Sequence, residues 1–136
     1  FERNKYFEKV CKFIKKNRGI FITIDYGYYK NIKNFTLQSL SNHKFSNIFD
    51  NIGEQDISSH VNFKDLHKIA KKYNLKIDEA CSQRDFLIKY GILERKELLS
   101  KNKNNETKNI INNQVERLVG AKEMGNLFKF LIVSNL

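Results

Sequence analysis

The sequence predicts an α/β fold, and three observations carry that prediction. An amphipathic pattern over residues 3–17 runs straight into an apolar run at residues 20–24, the helix-to-strand unit from which such folds are built. That run is apolar at successive positions, so the strand is expected to be buried on both faces, as in parallel sheets covered by helices. A second such run occupies residues 127–133.

Taken in order, Phe7, Val10, Cys11 and Ile14 recur at helical spacing, with Tyr6 and Phe13 widening the stripe. Gly19 stands where that helix is expected to end. The strand 20–24 then stops at Asp25, Tyr26 and Gly27, the end of a strand where ligands sit in open α/β sheets. Residues 27–57 hold Tyr28, Tyr29, Phe35, His43, Phe45, Phe49 and Gly53 without sustained periodicity. A loop this long in a compact domain reads as a lid or binding segment, with one short helix expected at 37–43. Asn62 and Asp65 read as an N-cap with its capping-box acid, opening a helix whose apolar face is Phe63, Leu66, Ile69, Ala70 and Tyr73. Leu75, Ile77 and Ala80 fit a second strand, and 84–90 a short helix closed by Gly91. A further helix is expected at 93–99, followed by a disordered surface loop in the polar tract 100–106. Ile110 or Ile111, Val115 and Leu118 mark one more helix before the last strand. The sequence shows no internal repeat and no second domain.

A chain of 136 residues is the size of one domain. Phe1 is not a start methionine and Met124 is the only methionine, so a processed N-terminus or a piece of a longer protein is expected. The first residues lack the apolar core of a signal peptide, and no apolar run approaches the ~18 residues of a membrane span. A net charge of +10 and a pI near 9.6 raise nucleic acid or an anionic surface as partners. The lysines are scattered among asparagines, however, and the densest cluster, Lys9, Lys12, Lys15, Lys16 and Arg18, falls on the solvent side of one helix. It reads as a solvated face. Cys11 and Cys81 lack CxxC partners and read as buried thiols in a reducing compartment. His43, His60 and His67 have no zinc-ligand spacing.

Several short segments, in order along the chain, share one resemblance. These are the run 19–27, Thr36-Leu37-Gln38, His43, Gly53-Glu54-Gln55-Asp56, His60-Val61-Asn62-Phe63, Gln83 with Phe86-Leu87, Gly91-Ile92, Arg117-Leu118 and the segment 124–129. Together they resemble the C-terminal part of the MidA-type S-adenosylmethionine-dependent methyltransferases, a family that includes the mitochondrial arginine methyltransferase used in assembling respiratory complex I. The resemblance implies the C-terminal half of a Rossmann-like class I methyltransferase sheet, strands five to seven with flanking helices, the seventh antiparallel. The first four strands would lie upstream of Phe1. The cofactor of the full-length protein would be S-adenosyl-L-methionine, but no GxGxxG turn stands here to hold it. The fragment alone is therefore expected to lack the cofactor half and to be inactive. A protein substrate methylated at arginine, such as a complex I subunit, is implied, with a homodimer allowed, no nucleic-acid or membrane partner, and a bacterial cytoplasmic or mitochondrial matrix location.

Asp25 and Tyr26 are candidate substrate contacts; the competing reading is that Asp25 holds turn amides while Tyr26 packs. Asp56 is the carboxylate that could grip a guanidinium through a bidentate pair. His60 is the candidate for relaying a proton or orienting the substrate, or else it pins the loop to the domain. His43 matches a family histidine on the substrate side. Relatives carry aspartate where this chain has Asn62, which caps a helix but cannot act as a base. His67 reads as a boundary residue, and Gln83 as fixing the turn after the second strand. The other readings are a non-catalytic protein-interaction domain and a basic nucleic-acid binder, the latter with only charge behind it.

Overall fold

The computed structural model of the chain describes residues 2–30, 32, 35–42 and 44–136. Helix α1 (Glu2–Asn17) leads into strand β1 (Gly19–Tyr28). Three short strands follow, β2 (Gln38–Ser41), β3 (Lys44–Ser46) and β4 (Asp56–Ser58), and then β5 (Val61–Asn62) with helix α2 (Phe63–Lys72). The chain continues through β6 (Lys76–Ser82), α3 (Gln83–Lys89), α4 (Ile92–Ser100), α5 (Asn105–Val119) and β7 (Phe128–Asn135). The main sheet has the order β5-β1-β7-β6, and a separate sheet the order β3-β2-β4. Strand β7 is antiparallel to both its neighbours, while β5 extends the tip of β1 in parallel at Gly27 and Tyr28.

The pleat sorts the side chains of β1 and β7 onto two unlike faces. Phe21 of β1 with Leu131 and Val133 of β7 meet Phe7, Cys11 and Ile14 of α1 and Phe63, Leu66 and Ala70 of α2, which form the core. On the opposite face Phe86 of α3 stacks on Phe130, with ring centroids 4.1 Å apart. Ile132 and Ser134 of β7 are buried on this face too, and it is the β1 side of it that stands open. Ile20, Ile22 and Ile24 are 57%, 55% and 49% exposed.

Four expectations are corrected. The first strand is covered on one face rather than two, while β7, its long neighbour, is antiparallel to it as the resemblance implies. Its apolar run reports a strand whose second face no described residue shields. Arg18, at φ 56°, makes the left-handed turn that ends α1, and Gly19 already belongs to the strand. In place of the helix expected at 37–43, the described residues 38–42 hold strand β2 and Asn42 at φ 49°, in the left-handed region that asparagine tolerates and a helix excludes. Of the tract 100–106 only 101–104 lies between helices: Ser100 ends α4, and Asn104 caps α5 by accepting from the Thr107 amide at 2.9 Å.

Candidate functional site

Gly27 lets the end of β1 come close to its neighbours. A Cβ there would stand 2.4 Å from the Val61 carbonyl oxygen and 2.5 Å from the Phe63 ring, so only glycine allows the strand tip to lie this tightly against β5 and the start of α2. Asn62 closes the same corner by accepting the Asp65 amide at 3.3 Å while its own amide donates to the Asp65 carboxylate at 2.8 Å, the reciprocal cap the sequence indicates.

Beside this corner lies a cavity of about 370 Å³ between the main sheet and the small one. Asp25 and Tyr26 of β1 line it with Leu127 at the approach to β7. The small sheet adds Gln38, Leu40 and Phe45, and the link from β4 to β5 adds Ser58, Ser59 and His60. The Tyr26 ring lies 4.2 Å from Phe128 and stacks with His60 at 6.4 Å and 17°. Asp25 accepts the Tyr26 amide at 2.7 Å, and the His60 amide donates to Thr36 Oγ1 at 3.2 Å. A second hollow of about 360 Å³, bounded by Arg3, Tyr28 and Asp65, also touches Ser59 and His60. His60 therefore stands in the wall between two cavities.

Side-chain bonds add to the backbone ladder of the small sheet, Gln38 donating to Ser58 Oγ at 3.3 Å and Ser46 to Ser39 Oγ at 3.2 Å. Gln55 accepts from the hydroxyls of Ser39 and Ser46 and donates to the Asp50 carbonyl. Ser39 is buried by this arrangement.

Of the residues singled out in the sequence, Asp25, Tyr26 and His60 come together at one cavity. Asp56 does not; it begins β4, exposed, in register with Leu40. His43 lies outside the described residues. His67 sits half-buried on α2, where burial and then nearby Lys71 lower its pKa from the usual histidine value. Gln83 donates to the Leu118 carbonyl at 2.8 Å, tying α3 to the end of α5 rather than fixing a local turn. Cys11 is fully buried, whereas Cys81 is only partly so. No cluster of potential metal ligands exists among the described residues, and no helix among them is long and apolar enough to cross a membrane. Leu40, Phe45, Ser58, Ser59 and Leu127 were not marked as site residues by the sequence. Their one signal was a turn-rich stretch too long to be a plain connection.

A family model described as "Putative S-adenosyl-L-methionine-dependent methyltransferase" matches residues 1–81. Two crystal structures from Burkholderia thailandensis, assigned to one superfamily, are similar to the chain. The first, an uncharacterized protein, superposes with a TM-score of 0.84 at 26% identity, covering 97% of this chain and 36% of that one. The second, described as a "likely methyl transferase" bound to S-adenosyl-homocysteine, gives 0.81 at 26% identity over 97% and 35%. The fold is that of a class I methyltransferase, and the chain spans about a third of the length of these structures.

Proposed function

The chain belongs to the S-adenosyl-L-methionine-dependent methyltransferase family whose model it matches, and from that premise we propose that these residues are the substrate-facing portion of such an enzyme, of MidA type, acting on arginine in a protein. The observation that carries the reading is the charge of the 370 Å³ cavity. The chain is strongly basic, yet among the described residues Asp25 is the one charged group lining the cavity. A carboxylate beside the faces of Tyr26, His60 and Phe45, with apolar walls from Leu40 and Leu127, suits a planar cation on an apolar stem. Asp25 would hold the cation, Tyr26 and Phe45 would flatten it against the wall, and His60 would orient it or take its proton.

The residues described do not fit the cofactor itself. A class I site needs a glycine-rich turn between a strand and the helix after it. Here the helices that follow strands directly, α2 and α3, are capped by Asn62 and Ser82 with no glycine in the turn. The cofactor, the source of the methyl group, would thus be held by polypeptide outside these 136 residues.

Two measurements test this reading. The 136-residue chain is expected to show no heat of binding with millimolar S-adenosylmethionine; low-micromolar affinity would place the cradle within these residues. In a protein carrying the cofactor portion, Asp25→Asn should raise KM for an arginine peptide roughly tenfold or more, the scale of a lost charged hydrogen bond, with Asp56→Ala near wild type. The reverse order would move the site to the small sheet.

A further inference from the structure

The positive charge of this chain is gathered on one layer. Residues 1–18 hold seven Lys and Arg against two acids and residues 63–72 hold four against one, so these stretches carry eight of the ten net charges. In sequence they are far apart. In the fold they are α1 and α2 with their flanks, packed together, with Lys72 3.4 Å from Glu8 and Lys15 donating to the Asn74 carbonyl at 3.3 Å. Lys5, Lys9, Lys12 and Lys16 recur every three or four residues and so form one exposed stripe along α1. Lys68, Lys71 and Lys72 make another on α2. Lys9, Lys12, Lys16 and Lys71 have no ion-pair partner among the described residues.

We propose that this two-helix face docks on an anionic phospholipid bilayer. Like charges at helical spacing repel, and a surface of negative headgroups relieves that repulsion. Nine of the eleven basic residues in these stretches are lysines, point charges suited to a diffuse charged surface rather than to forked contacts with placed phosphates. Two helices side by side are broader than the single helix a DNA major groove admits. Single-stranded nucleic acid stacks successive bases on a row of aromatic faces, whereas here Lys9 sits 5.1 Å over the Tyr6 ring, Lys12 and Lys72 sit 6.0 and 5.7 Å from the Tyr73 ring, and among the described residues Phe13 alone of these aromatics has no lysine over it. Phe13, 67% exposed on the flank of the α1 stripe, supplies an apolar side chain for the headgroup layer. The expectation of no membrane partner took the lysines as scattered, and the packing of α1 on α2 removes its basis.

Co-sedimentation of the whole chain with vesicles tests the proposal. It is expected to bind vesicles of equal parts phosphatidylcholine and phosphatidylserine, less as salt rises, and not phosphatidylcholine alone. Replacing Lys9, Lys16, Lys68 and Lys71 with Gln should weaken binding about 100-fold or more, near fivefold for each charge. The same net change made with Lys101, Lys103, Lys108 and Lys122 should leave it within a few-fold, with circular dichroism confirming that both variants fold. Equal loss in the two variants, equal binding to neutral vesicles, or displacement from vesicles by a lower phosphate concentration of single-stranded oligonucleotide would each overturn the assignment.

Discussion

At Gly27 a missing side chain decides the geometry of the site. The atoms a Cβ would meet are the Val61 carbonyl and the fully buried Phe63 ring, neither of which can swing aside. Gly27→Ala is expected to cost about 1 to 3 kcal/mol, the range for overpacking, read as a lower denaturant midpoint; an unchanged midpoint would mean that β5 can withdraw freely from β1. Cys11 sets a pH limit. Burial, then the nearby Glu8 carboxylate, push its thiol from 9.0 up to about 11. Because the folded value lies above the unfolded one, its contribution to stability is whole below pH 9 and lost as pH rises toward 11. Thermal melts of the wild type should fall over that interval more steeply than those of Cys11→Ala, and parallel curves would exclude the thiol as the cause. Asp25, Tyr26 and His60 could be picked out in the sequence because each sits at an abrupt change, the end of an apolar run or the approach to a capped helix. Phe45 and Leu40 could not, since nothing local says that a hairpin will fold back over β1.

Elements long enough to show a period were legible. Helices α1 and α2 each bury one recurring set of residues, β7 buries five in succession, and the Asn62 and Asp65 cap marks where α2 begins. The small sheet was not legible, because strands of three or four residues complete too few alternations to separate from a turn. Its stability rests on hydrogen bonds, Gln55's among them, rather than on a hydrophobic face. Gln55→Ala would leave the buried Ser39 hydroxyl with the Ser46 hydroxyl as its remaining partner, a loss of roughly 0.5 to 1.5 kcal/mol, the net worth of one hydrogen bond. That loss should stay local, so amide exchange at Ser39 and Leu40 is expected to quicken while Leu131 and Val133 in β7 keep their protection. Uniform loss of protection would show that the small sheet and the core melt as one unit.

For the whole molecule, the asymmetry of the main sheet matters most. From Gly19 to Tyr26, β1 pairs with β7 alone, and no described residue completes its other edge. An open edge flanked by exposed isoleucines favours strand-to-strand association. Ile22→Lys should therefore reduce light scattering by the isolated chain at a given concentration; equal scattering would point to another surface, such as Leu98 and Leu99 on α4. The strand order also carries a consequence in time. Ile20 pairs with Ser134 and Ile24 with Phe130, so β1 leaves the ribosome and waits for about a hundred further residues before β7 supplies its partner. At ordinary synthesis rates of roughly 5 to 20 residues per second that is several seconds or more. Throughout the delay α1 has no floor of Leu131 and Val133 to pack on, and a nascent chain stalled before Phe128 should leave α1 and β1 open to protease.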